Sequence, residues 1–217
     1  RGEAAAMLAG PVGRFLAHLR HIEDVLGLRP QMSEASAVHG IVLDRGGLFI
    51  ADTSVAEDPP AAQVAETALR AAEIVRGFGV EPKVALISHS NFGSRDTASA
   101  AKMREALAIL HRLAPDLEAD GEMQADTALS ETIRRRLLPG ARLTGEANLL
   151  VMPTLDAASA AYNLVKAVTE AVTIGPILIG PRHPAHVLNA SVTSRGIVNM
   201  SAVACVDALA RSQAGAA

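Results

Sequence analysis

The run Ser88-His89-Ser90-Asn91-Phe92-Gly93-Ser94-Arg95 holds the densest set of groups able to bind an anion. It follows a short apolar stretch and opens a helical pattern, the position at which open α/β sheets bind ligands. Helix N-terminal amides with Ser, Asn and Arg side chains can hold a phosphate. Neither GxGxxG nor GxxxxGK(S/T) occurs, so a second reading stands level with it: Ser94 or Asp96 only caps the helix. Asp120-Gly121-Glu122 with Asp126 gathers three carboxylates that could act as acid and base or hold a metal. The preferred reading is a strand end and helix N-cap, with the charges in solvent or paired with Arg134 to Arg136. His18 and His21, then His183 and His186, repeat an HxxH spacing. No Cys or acidic partner stands at a recognised metal spacing, and the first pair flanks Leu19 at a helix edge. Asn189 to Ile197 (NASVTSRGI) is polar and follows GPILIGPRHPAHVL, so Pro176, Pro181 and Pro184 build either a ligand wall or a simple crossover. There is no GxSxG elbow. Tyr162, beside Asn163 and Lys166, reads as packing rather than an acid, and Cys205, between Ala204 and Val206, as a buried inert thiol.

Elements must position these groups. Phe15, Leu16, Leu19, Ile22, Val25 and Leu26 share one face of a helix over 14–26, which Gly27 stops. Val38 to Leu43 and Leu48 to Ala51 read as strands joined by Asp44-Arg45-Gly46-Gly47. Pro59-Pro60 starts a long helix with Val64, Ala68, Leu69, Ala72 and Val75 inward, ending at Gly77 or Gly79. Beyond it the rhythm is regular. Strands are expected over 83–88, 117–122, 148–152 and 176–179, and helices over 97–113, 126–137 and 157–172. Ser194 caps a last helix to about Arg211, and residues 212–217 are expected to fray. Apolar strands alternating with amphipathic helices predict a largely parallel sheet covered on both faces.

Composition narrows the function. Of 217 residues, 49% are hydrophobic and 2% aromatic, so the core is aliphatic. Twenty Lys and Arg face 23 Asp and Glu, a net charge of −3 without a basic block. Nucleic-acid binding, which needs a basic face or aromatic stacking platforms, is not expected. The longest uncharged apolar stretches, Ala171 to Gly180 and Gly196 to Val206, fall short of the roughly 20 residues a membrane helix needs. A single Cys and charged residues among the first twenty suggest a cytoplasmic protein without a signal peptide. The chain starts at Arg1 in mid-pattern and reads as a piece of a longer one.

The strings SHSNFGS (88–94), KMREAL (102–107), DGEMQAD (120–126), ANLLVMP (147–153), AYNLVK (161–166), GPILIG (175–180) and IVNMSAVA (197–204) resemble the phosphate acetyl/butyryl-transferase domain from about residue 7 to 210. SHSNFGS is similar to the copy fused behind bacterial NADP-dependent malic enzymes of the hybrid type. The resemblance implies a three-layer α/β/α fold, isocitrate/isopropylmalate dehydrogenase-like, with an acyl-CoA cleft between two subdomains. Residues 1–211 would then be a partial domain, mostly the second subdomain plus the returning helix, without the family's N-terminal section.

Active members carry a Ser-Arg pair after the Pro-rich run and an Asp seven residues past that Ser. The Arg holds acetyl phosphate, and the Asp is the proposed base for the CoA thiol. Those positions here are Asn189, Ala190 and Gly196, so no catalytic residue is expected. What the resemblance implies instead is an acetyl-CoA effector site in a regulatory, oligomerising domain. Its expected contacts are Ser90, Asn91, Gly93, Ser94 and Arg95, the wall Gly180, Pro181, Arg182 and His183 with Asn189, and Arg20, where the family has an Arg near the substrate phosphate. Residual acyl transfer, or a purely oligomerising module, are the alternatives. Malate decarboxylation, with its NADP and divalent metal, is assigned to a malic-enzyme domain upstream in the same chain. A homo-oligomer, dimer or higher, is expected.

Overall fold

The computed structural model describes residues 3–30, 32 and 34–214. In chain order the elements are β1 (Met7–Ala9), α1 (Phe15–Leu26), β2 (Ser36–Leu43), β3 (Gly46–Ala51), α2 (Ala61–Gly77), β4 (Val84–Ile87), α3 (Ala98–Leu113), β5 (Ala119–Met123), α4 (Ala125–Ala128) and α5 (Glu131–Leu137). Then follow β6 (Leu149–Val151), α6 (Leu155–Thr169), β7 (Val172–Ile179), β8 (Ala185–Val187) and α7 (Ser194–Ala214).

Six strands form one sheet in the order β5-β4-β6-β3-β2-β7. Side chains alternate across it, as the period of two requires. Phe49, Val84, Leu86, Leu149 and Val151 enter the core under α2 and α3. Their neighbours Ile50, Ala85, Ile87 and Leu150 enter the opposite core with Ala128 of α4 and Ala158 and Tyr162 of α6. Three layers result. On α2 the buried stripe is mostly alanine (Ala61, Ala65, Ala68, Ala71, Ala72), which admits α3 at close range and explains a core with so few rings.

The sheet is mixed rather than uniformly parallel. β5–β4, β4–β6 and β6–β3 are parallel, whereas β2 runs antiparallel to both β3 and β7. The cause is local: Leu43 pairs with Gly46, so only Asp44 and Arg45 separate the strands, and a two-residue loop closes only a hairpin. The last sheet strand is longer than expected, starting at Val172 and passing through Pro176, which an edge position tolerates. A second, two-stranded parallel sheet joins β1 to β8, a pairing the sequence reading lacked.

The helix expected over 126–137 is two helices, because the Ser130 hydroxyl accepts from the Ile133 amide and restarts the chain as α5. Thr193, not Ser194, caps α7, its hydroxyl accepting from the Gly196 amide at 3.1 Å. α7 continues through Ala214, so the expected fraying at 212–214 is replaced by helix, and residues 215–217 lie outside the described ones. Cys205 is exposed rather than buried, since the inward face of α7 at that level is taken by Met200 and Ala204. Leu16 and Val25, expected inward on α1, are also exposed; the helix buries Leu19 and Ile22. No helix among the described residues is long and apolar enough to cross a membrane.

Candidate functional site

The segment 88–97 leaves the carboxyl end of β4 and is folded around one side chain, Glu122 of β5. Glu122 is fully buried. Its Oε1 accepts from the Ser90 hydroxyl at 2.6 Å, the Gly93 amide at 2.9 Å and the Arg104 guanidinium at 3.1 Å. Burial pushes this carboxyl up, but those donors outweigh it and hold the pKa below the ordinary carboxylate range. Ser90 Oγ in turn accepts from the Arg95 amide, Ser94 Oγ from the Asn91 amide, and the Asn91 and Gln124 side chains bond each other. Gly121, at φ +146°, lets β5 pass β4 here, since a Cβ would lie 2.8 Å from the Leu86 oxygen.

Ser90, Asn91, Gly93 and Ser94 therefore use their polar groups within the loop and on Glu122 and Gln124 beside it, and Arg95 alone of the loop's expected contacts keeps its side chain without a partner among the described residues. The helix begins at Ala98 behind the hydroxyl of Thr97, so neither Ser94 nor Asp96 is its cap. Of the three carboxylates Asp126 is exposed, as expected, whereas Asp120 and Glu122 are buried and neither forms an ion pair with Arg134 to Arg136 among the described residues. Asp120 accepts from the amides of Arg142 and Leu143, and Arg134 is buried and donates to the carbonyls of Thr127, Ala128, Leu143 and Gly145. No group of three or more His, Cys, Asp or Glu among the described residues could hold a metal ion.

The other expected contacts sit elsewhere. Pro181 and Arg182 offer their carbonyls to Arg211, while Gly180 borders an apolar groove of about 450 Å³ between α2, β7 and α7. Arg182 and His183 are exposed. Arg20 lines a cavity with Glu23, Glu34, Glu57 and Asp58, an environment suited to its cation and hostile to a phosphate. The eleven expected positions thus divide among separate places and do not converge.

Asn189 and Gly196 do share a cleft. It encloses about 520 Å³ between the start of α1, α6, β7 and the start of α7, and His39, Thr53, Tyr162, Lys166 and Arg195 also line it. A register shift between Val38 and Gly40 against β7 takes His39 out of that ladder. Bulges of this kind re-aim side chains. Gly175, at φ +133°, passes so close to His39 that a Cβ would lie 2.8 Å from its ring. His39 Nδ1 is 2.6 Å from the Thr53 hydroxyl, and its ring stacks on Tyr162 at 4.1 Å between centroids. Lys166 Nζ lies 5.9 Å from the Tyr162 ring centre. Burial first, and the nearby Lys166 second, lower the His39 pKa to about 3, so the imidazole is neutral. Behind it Asp52 accepts from the amides of Ala37, Ser54 and Ala56, and burial raises its carboxyl to about 6.

The sequence reading missed His39 and Thr53, weighed Glu122 as an acid, base or metal ligand and not as the anchor of the 88–97 loop, held Arg195 only within the polar run 189–197, and took Lys166 only as a neighbour of Tyr162. The available signals were a histidine inside the apolar strand VHGIVL and a lysine one helical turn beyond the single tyrosine.

The phosphate acetyl/butaryl transferase family matches residues 1–205. An NAD-dependent malic enzyme of Rhizobium meliloti is 50% identical over 95% of this chain and 27% of its own length. An NADP-dependent malic enzyme of Escherichia coli is 48% identical over 96% of this chain and 28% of its own. A phosphate acetyltransferase of Synechocystis is 34% identical over 91% of the chain and 28% of its own. The chain therefore spans between a quarter and a third of these relatives. Among solved structures, a phosphotransacetylase from Streptococcus pyogenes superposes with a TM-score of 0.91 at 28% identity, over 96% of this chain and 64% of that one. The EutD phosphotransacetylase from Staphylococcus aureus gives 0.85 at 26% identity, over 95% and 63%.

Proposed function

Because the chain belongs to the phosphate acetyl/butaryl transferase family, we propose that it is the acetyl-CoA-sensing, oligomerising part of a cytoplasmic malic enzyme and does not itself transfer acyl groups. The observation that carries this reading is the cleft. It keeps about 520 Å³ of space, yet the positions at which the resemblance places phosphate-holding and proton-accepting groups are Asn189, Ala190 and Gly196. An exposed methyl group holds no phosphate, and the Gly196 amide is already bonded to Thr193. Losing a positioned base alone costs roughly 10²–10⁴ in rate.

Malate oxidation to pyruvate, with its nicotinamide cofactor and divalent metal, belongs in this reading to the remainder of the longer protein. The names of the relatives divide between NAD and NADP, and nothing in this chain chooses between them. Regulation requires the effector to bind two states of the parent enzyme with different affinity; inhibition is the sign the resemblance suggests. For oligomerisation, support comes from exposed apolar side chains on β2, β7 and α6. Val42 and Val172 are paired and exposed, and Leu164 and Val168 of α6 are 66% and 75% exposed.

Two assays on the parent enzyme test the reading together. Malate decarboxylation should respond to acetyl-CoA, and acetyl transfer between acetyl phosphate and CoA should be absent. Transfer that disappears on Asn189→Ala would establish the acyltransferase alternative in its place.

A further inference from the structure

The groove of about 450 Å³ between α2, β7 and α7 is separate from the cleft. Ile174 of β7 lines it, whereas Thr173 and Gly175 on either side line the cleft. The two cavities therefore open on opposite faces of that strand, and among the described residues they share only Asn199. The walls of the groove are Ile74 and Phe78 of α2, Ile177 and Ile179 of β7, and Val203 and Val206 of α7. Phe78 is set by its contact with Phe49, at 5.5 Å between ring centres, and Ile177 and Ile179 are buried, so the floor is fixed by the core.

The charged side chains of the groove gather near Gly180, and their pairing is uneven. Glu66 and Glu73 hold Arg70 at 2.8 and 2.7 Å, and Asp207 takes Arg211 through both oxygens at 2.6 and 2.8 Å. Arg29 has no such partner. The Glu73 oxygen that faces it lies 3.9 Å away, beyond hydrogen-bond reach, and its guanidinium donates to no atom among the described residues. Burial first, and Arg211 second, hold that guanidinium below its usual range despite Glu73 and Asp207, the mark of a half-buried cation short of an anion. Its backbone is pinned: the Arg29 amide donates to the Gly180 carbonyl at 2.9 Å, and Leu28 bridges Pro181. An apolar trough that ends at a positioned guanidinium with unused donors fits an amphipathic anion. A carboxylate matches the planar fork of one arginine, and Glu73 and Asp207 nearby disfavour a more highly charged head.

We infer that this groove is a second ligand site, which takes a medium-chain aliphatic monocarboxylate with its head on Arg29 and its chain along Ile74, Phe78, Ile177 and Val206. The inference does not rest on the acetyl-CoA reading, since the ligand enters from the face of β7 opposite the cleft.

The test titrates octanoate, and separately octanol, into the 217-residue chain by calorimetry. Octanoate should saturate and bind roughly tenfold or more tightly than octanol, because only its head makes a charge-assisted bond. Arg29→Gln should remove that advantage and leave octanol binding unchanged, which shows at the same time that the groove is intact. Arg29→Lys should keep part of the advantage. Ala202→Trp, which fills the groove from α7, should abolish binding of both probes, and Arg112→Gln, which removes an exposed charge outside the groove, should alter neither. Octanoate affinity that Arg29→Gln leaves intact, or no saturable octanoate binding, overturns the site. Loss of both probes in Arg29→Gln would make Arg29 structural and overturns it as well. Displacement of octanoate by acetyl-CoA would place the ligand in the cleft instead. Binding by this chain that the longer parent protein lacks would show the groove filled by another segment or subunit, and likewise overturns the inference.

Discussion

Mild acid should destabilise this fold well above the pH at which its ordinary carboxylates titrate. His39 and His186 are buried and neutral; burial lowers their pKa values to about 3 and about 4. In the unfolded chain both take a proton near pH 6.5, so below that pH the unfolded state binds more protons and stability falls as pH falls. Each group contributes about 1.4 kcal/mol per pH unit. Asp52 acts oppositely. Its folded pKa, raised by burial to about 6, lets the native state hold a proton that the unfolded state releases down to its ordinary value of 3.8. Between pH 7 and 5 the histidines remove about 4 kcal/mol and Asp52 returns about 1.4, leaving a net loss of about 3 kcal/mol. Glu23, also raised by burial, trims the loss slightly near the lower limit. Urea unfolding at pH 7, 6 and 5 measures this directly. His186→Asn, whose own stability cost is the same at every pH, should flatten the slope by about 1 kcal/mol per pH unit across this range. Stability that is constant or rising from pH 7 to 5, or a His186→Asn slope equal to that of the unsubstituted chain, would refute the assignment of buried neutral histidines.

Three shorter predictions concern the scaffold. Glu122→Gln removes the charged acceptor shared by Ser90, Gly93 and Arg104 and should cost about 2–3 kcal/mol; faster hydrogen exchange at the Gly93 and Arg95 amides localises the loss to segment 88–97. Leu110→Ala, in the core between α3 and the sheet, should destabilise by about 2–5 kcal/mol in urea melts. Native Cys205, being exposed, should react stoichiometrically with a thiol reagent before any unfolding; a thiol that reacts only in denaturant would return it to the core.

What the sequence disclosed was local. The hairpin of β2 and β3 is announced by Asp44-Arg45-Gly46-Gly47, because turn chemistry acts within four residues, and α3 by its periodic run, although its cap is Thr97 and not the Ser94 or Asp96 that the sequence offered. The β1–β8 sheet was illegible for the opposite reason: two three-residue strands from opposite ends of the chain carry no periodicity long enough to detect. Glu122 looks like any strand-end carboxylate until β4 and β5 are side by side and Ser90 meets it. The cleft was half legible. Family strings pointed to Asn189 and Gly196, but Arg20 and the 88–95 loop belong to other surfaces. Lys166 and His39 meet there only through a bulge opposite Gly175 and a stack on Tyr162, contacts that no spacing rule encodes.

The central claim is that a cleft without transfer chemistry still receives an acyl-CoA. Equilibrium titration of acetyl-CoA into this chain, followed by calorimetry at physiological salt, tests it most directly. The account predicts one saturable site per chain, in the cleft that holds Asn189 and Gly196. The absence of saturable heat at millimolar acetyl-CoA would contradict it.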